Sequence, residues 1–228
     1  MIVATTCLLN PKSKIQNPKS FLLVLLLLAL MPACAGRSRP VYAPAAREDA
    51  ERAIAAWRAA VARTDARGPA RLLYEARVSR GPFRMSGTLA VREGPGTVDA
   101  TLAGPFGDAV ARYGDGALRG NGIRPIAIEA EELRWLLAGV WKGSESPEVA
   151  GVDGPDALLR WTGTQQVEGV IDVPRAQFKS LRIRRSDGAI AATYSGEASS
   201  WPQRIALEDL KSGNTLRLAL IAAEAVSE

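Results

Sequence analysis

A chain of 228 residues, 47% hydrophobic and 23% charged, is long enough to build one domain around a real core. Its formal charge of +5 is not gathered into a basic face with aromatic platforms, and the one basic trio, Arg182, Arg184 and Arg185, reads as the solvated side of a strand, so nucleic-acid binding is not expected. With no histidine and only two cysteines, the chain lacks the commonest general base and the commonest metal ligand, and metal sites of the thiol and imidazole kind are excluded.

Residues 1–20 read poorly as a folded segment. Asn10-Pro-Lys-Ser and Asn17-Pro-Lys-Ser form a small repeat, and the true start is expected nearer Lys19. The run from Phe21 to Leu30 is wholly apolar but only about half as long as a membrane-crossing helix requires. Preceded by Lys12, Lys14 and Lys19 and followed by small residues, it has the layout of an export signal. The closing text, Leu30-Met-Pro-Ala-Cys34, resembles the bacterial lipobox, in which the chain is cut before the cysteine and the thiol is acylated. The alternative is an ordinary secretory signal with a chance cysteine. Cleavage removes Cys7 and the three lysines, leaving Cys34 alone, no possible internal disulfide, and 26 basic against 24 acidic residues. Several acyl chains on Cys34 would hold the protein on its leaflet far better than one. Ala35 stands where an aspartate resembles an inner-membrane retention signal in enterobacterial lipoproteins, which favours the outer membrane. The expected organisation is a signal peptide at 1–33, a lipidated linker at 34–45 and a single domain at 46–228.

From Ala46 to Arg63, apolar residues including Ala50, Ala53, Ile54, Trp57, Ala60 and Val61 recur at three- and four-residue steps, which predicts an amphipathic helix. Packing on the main sheet is preferred to lying on a membrane, because alanine dominates the apolar face. The period then falls to two. Leu72, Tyr74, Ala76 and Val78, then Phe83, Met85, Gly87, Leu89 and Val91, mark two half-buried strands. Thr97 to Ala103 and Ala109 to Tyr113 follow, the second after the turn Gly104-Pro-Phe-Gly107, and a short pair flanks Asn121-Gly122. Glu129 to Trp141 returns to helical spacing, with Glu129, Glu131 and Glu132 at the end that favours negative charge. Alternation resumes over Ala157 to Thr162, Val167 to Val173, Phe178 to Arg184, Ala189 to Ser195, Arg204 to Leu210 and Thr215 to Ile221. The fold class is mainly β with helices: about 11 antiparallel strands in a curved sheet or an unclosed barrel, with helices to close over its apolar face. The aliphatic interior leaves open either a cavity or a dense core.

In this order of elements, and in the local text, the chain resembles the LolB family of outer-membrane lipoprotein receptors. The segments that carry the likeness are Arg84-Met-Ser-Gly-Thr-Leu-Ala-Val91, Gly104-Pro-Phe-Gly107 with Asp108-Ala-Val-Ala-Arg112, and Ala130-Glu-Glu-Leu133. The resemblance implies a hydrophobic cavity under a helical lid, for which Leu89, Val91, Leu102, Leu133, Leu136, Leu137, Val140 and Trp141 are the candidate residues. It also implies a membrane-insertion loop at Pro105 and Phe106. Taken from the residues alone, Phe106 would more often be buried; the family reverses that expectation. The family's lid continues to a Trp-x-x-Gly turn, whereas Lys142-Gly-Ser-Glu-Ser-Pro147 follows here, so a smaller lid is expected.

The implied partners are lipoprotein acyl chains, a periplasmic lipoprotein carrier, and the membrane surface through the lipid anchor, with no cofactor and a monomeric state. The alternatives are a structural or adaptor envelope lipoprotein and a carrier of another lipid or glycolipid. An enzyme is not expected. Glu131 and Glu132 are adjacent on a helix and cannot face each other, Asp153 and Asp156 fall in a turn-rich loop, and no nucleophile-elbow, phosphate-loop or dinucleotide motif is present.

Overall fold

The computed structural model describes residues 41–226, apart from 95, 96, 115, 121, 122, 187 and 197–200 and the side chains of 118 and 123–127. The signal peptide, Cys34 and the first part of the expected linker therefore lie outside the described residues, as do parts of the expected turns at Pro95-Gly96, Asp115, Asn121-Gly122 and Asp187.

Helix α1 spans Arg47–Arg67 and buries the stripe Ala53, Ala56, Trp57 and Ala60. Glu48 and Asp49 sit in its first turn and Arg67 in its last, each matching the sign of the helix dipole, and Gly68 at φ +67° ends it ahead of Pro69. The helix continues one turn beyond the expected end at Arg63. As anticipated, it packs on the sheet, and the Trp57 indole donates to the Trp141 carbonyl at 2.8 Å.

Six strands follow: β1 (Ala70–Arg80), β2 (Phe83–Gly94), β3 (Thr97–Ala103), β4 (Ala109–Gly114), β5 (Ala117–Gly120) and β6 (Ile123–Ala127). Helix α2 (Ala130–Ala138) then separates them from β7 (Glu148–Asp153), β8 (Asp156–Thr162), β9 (Gln166–Asp172), β10 (Gln177–Arg185), β11 (Gly188–Ser195), β12 (Arg204–Asp209) and β13 (Asn214–Ala225). All pairings are antiparallel, in the spatial order β6-β5-β4-β3-β2-β1-β13-β12-β11-β10-β9-β8-β7. Two meanders are thus stitched together by one long pairing, β1 against β13, with Ala76 opposite Leu218 and Val78 opposite Leu216. The sheet does not close: β6 and β7 are its two edges, and the segment carrying α2 connects one to the other.

The described residues hold thirteen strands where about 11 were expected. One addition is β7, which was read as loop. A bulge between Val149 and Gly151 breaks its alternation, and that irregularity hid it. The second correction concerns α2, whose apolar spacing runs on to Trp141 although the helix stops at Ala138. Gly139 adopts a left-handed conformation (φ 67°, ψ 37°), and its N–H and that of Val140 return to Leu136 and Trp135. Val140 and Trp141 therefore leave the helix while remaining in the core. Residues 41–43, expected as linker, are held: Ala43 exchanges two backbone hydrogen bonds with Val152 at 2.9 and 2.8 Å, laying the incoming chain along the β7 edge.

Candidate functional site

The inner face of the sheet is built by alternation. On β1, Leu72, Tyr74, Ala76 and Val78 are buried; on β2, Leu89, Val91 and Glu93 are. Over this face lies α2, nucleated by a reciprocal cap in which the Glu129 side chain takes the Glu132 N–H and the Glu132 carboxylate takes the Glu129 N–H. Its Leu133, Leu136 and Leu137 point into the core. Beneath the helix is an apolar pocket bounded by Leu89 and Ala100 on one meander, Leu216 and Leu218 on the other, and Leu133 and Leu137 above. Its volume is only about 40 Å³. Pockets that hold small ligands run from roughly 300 Å³ upward, so with α2 seated the interior is nearly filled. Of the eight cavity candidates, Leu89, Leu133 and Leu137 meet at this pocket. Val91, Leu102, Leu136, Val140 and Trp141 are buried in the surrounding core.

Three polar features within the apolar core were not anticipated. Glu93 is 3% exposed, continuing the inward phase set by Leu89 and Val91. Burial pushes its carboxyl up to about 7, against the opposing influence of Arg134 on α2 and of Arg67. Burial likewise raises the Tyr74 hydroxyl, with the Glu93 charge adding to the effect. The third feature is an ion pair between Glu132 of α2 and Arg185 of β10, whose side chains are 6% and 16% exposed. Arg185 was expected on the solvated side of its strand with Arg182 and Arg184. Instead it shares the inward phase of Leu181 and Ile183 and reaches the lid. Both Glu93 and Arg185 could have been found from strand phase alone.

The connection between β3 and β4 is a two-residue tip. Gly107 donates to the Gly104 carbonyl at 3.0 Å and Gly104 to the Asp108 carbonyl at 2.8 Å, while Gly107 takes φ +83°, a region closed to most side chains. Pro105 stiffens the tip and Phe106 projects from it, 93% exposed. Among the described residues no other large hydrophobic side chain is as exposed.

No helix among the described residues is long and apolar enough to cross a membrane. No group of three or more cysteine, aspartate or glutamate side chains among them could hold a metal ion. No protein-family model matches the sequence, and no curated protein matches it. Solved structures do resemble it. A LolA superfamily protein from Nitrosomonas europaea superposes with a TM-score of 0.51 at 13% identity, covering 75% of this chain and 94% of its own. A domain described as a putative outer membrane lipoprotein-sorting protein from Vibrio parahaemolyticus gives 0.43 at 12% identity, covering 78% of this chain and 95% of its own. In fold, then, the chain is similar to the LolA superfamily: an unclosed antiparallel half-barrel with a helix over its apolar face.

Proposed function

We propose that this chain is an outer-membrane lipoprotein, anchored through Cys34, that receives the acyl chains of other lipoproteins beneath α2 and helps insert them into the outer membrane. The observation that carries this reading is Phe106, presented fully to solvent on a turn stiffened by Pro105 and closed by Gly104 and Gly107. A side chain of this size gains about 1.5–3 kcal/mol on leaving water, and nothing in the fold uses that gain. Dipping into a bilayer would. Support also comes from the shared half-barrel fold and from the leader text ending at Cys34. Because the pocket is small when α2 is seated, acyl entry requires α2 to move outward, and Leu133 and Leu137 would then exchange contacts with the core for contacts with the chain. No bond is made or broken in this process, so the chain acts as a binding protein and not as an enzyme. Exchange is driven by removal of acyl chains from water, with the membrane as final sink.

One observation favours a second reading. An interior of about 40 Å³ is what a structural or adaptor lipoprotein with a filled core would have. The test mixes an unlipidated domain beginning after Cys34 with a periplasmic carrier loaded with lipoprotein, followed by separation and a count of cargo on each. Cargo on the domain supports the receptor; cargo retained by the carrier, with no lipid extractable from the domain, supports the structural reading.

A further inference from the structure

A second cavity of about 400 Å³ opens where the last turns of α1, the end of α2, the turn after β9 and the end of β11 meet. Four cations, Arg63, Arg67, Arg175 and Lys179, line it against one carboxylate, Asp172. The lysine is already compensated. Its Nζ lies 2.6 and 2.8 Å from the Asp156 oxygens and 3.6 Å from Asp172. Asp172 also accepts from the Arg175 backbone N–H at 3.2 Å.

The three guanidinium groups have no directly paired carboxylate, although the buried Glu93 charge acts favourably on Arg67. Among the described residues none of them forms an ion pair: Arg63 donates to the Ala176 carbonyl, and Arg67 donates to the Thr64 hydroxyl at 2.9 Å and stacks over the Trp201 ring at 4.6 Å. Arg67 Nη1 is buried and has no hydrogen-bond partner among the described residues. A buried guanidinium donor left without an acceptor costs free energy that an incoming anion would recover.

We propose that this cavity binds a phosphate group carried on a lipid, the head group of an anionic phospholipid or glycolipid, with Arg63, Arg67 and Arg175 as its ligands. Planar guanidinium forks match phosphate oxygens two at a time, and three of them exceed what a single carboxylate needs. The remaining wall is mixed: Thr64, Gln177, Ser195 and Gln203 are polar, while Ala60, Val140 and Phe178 give an apolar stretch that the glycerol and first methylenes could use and free phosphate cannot. Its volume is within the range of sites for small ligands. The lipid source rests on the lipid-binding reading above; the phosphate site itself does not.

The test uses the full chain in nonionic detergent, titrated calorimetrically with inorganic phosphate, dihexanoylphosphatidylglycerol and dihexanoylphosphatidylcholine. Phosphatidylglycerol is expected to bind at least about tenfold more tightly than either of the others. Arg67→Gln and Arg175→Gln are each expected to weaken it by about tenfold or more, the loss of a charge-assisted hydrogen bond. Arg175 is exposed and its side chain makes no bond among the described residues, so Arg175→Gln should leave thermal unfolding unchanged and keep the test valid if Arg67→Gln folds poorly. Equal affinity for inorganic phosphate would keep the site and overturn its lipid source. Absence of binding, or binding unaltered in both variants, would overturn the site. Failure of lipoprotein transfer with phosphatidylglycerol binding intact would remove the receptor reading alone.

Discussion

Glu93 and Phe106 are side chains placed against their usual preference, one an acid inside and the other an aromatic outside. For Glu93 the linkage can be worked out. Its folded value of about 7 lies above the ordinary 4.5, so between those values the folded protein binds more protons than the unfolded one. The resulting destabilisation is absent below about pH 4.5 and grows as pH rises through 7. Glu93→Gln should therefore stabilise the protein at pH 8 by on the order of 3 kcal/mol and leave stability at pH 4.5 little changed, as read by denaturant unfolding at the two pH values. For Phe106→Glu the expectation is opposite in kind: unfolding free energy within about 0.5 kcal/mol of the parent, since nothing packs on the ring, but weaker delivery to membranes. A loss of several kcal/mol would instead place Phe106 in a core contact. The position of Phe106 could be read only through its Gly-Pro-Phe-Gly setting, because hydrophobicity alone sends phenylalanine inward. That of Glu93 was legible in the Leu89, Val91, Glu93 phase, yet a carboxylate in that phase is ordinarily taken as the point where a strand reaches solvent.

At the scale of elements, α2 is held by two different means. Leu133, Leu136 and Leu137 pack downward, and Glu132 pairs with Arg185 at the sheet. Breaking one partner of a buried pair leaves the other charge uncompensated. Arg185→Met is thus expected to speed amide hydrogen exchange across 130–138 at least about tenfold, with the β1–β13 core unaffected; uniform protection would mean that the ion pair does not restrain the helix. The strands themselves were legible because one face is apolar and the period is two. β7 was not, because its bulge and Gly151 interrupt that period for a reason external to the strand. A side chain at 151 would sit 2.7 Å from the Ala43 oxygen and from Tyr42 Cβ, where the incoming chain crosses. The stop of α2 was hidden for a related reason: Val140 and Trp141 continue the apolar pattern, and only the left-handed Gly139 turns the backbone away.

Across the domain, the consequential feature is a sheet that stops short of closing, with α2 supplied by the connection between its two edges. Local patterning foretold an antiparallel meander, but the β1–β13 pairing that joins residues far apart in sequence has no local signature. The β7 edge is covered by residues 41–43, so the segment leading into α1 also caps an otherwise free row of backbone donors and acceptors. Gly151→Val should displace this segment, and the exposed edge should show as concentration-dependent association in sedimentation, while the far meander keeps its exchange protection. On the receptor reading proposed above, the seated α2 is a resting state, opened when an acyl chain takes the place of Leu133 and Leu137. The most direct measurement of that claim is native mass spectrometry of the domain beginning after Cys34, mixed with a synthetic acylated lipopeptide. One acylated lipopeptide bound per domain, with its non-acylated counterpart not bound, is the expected result. Bare protein at every lipopeptide concentration would contradict the account and leave a half-barrel whose core is permanently filled.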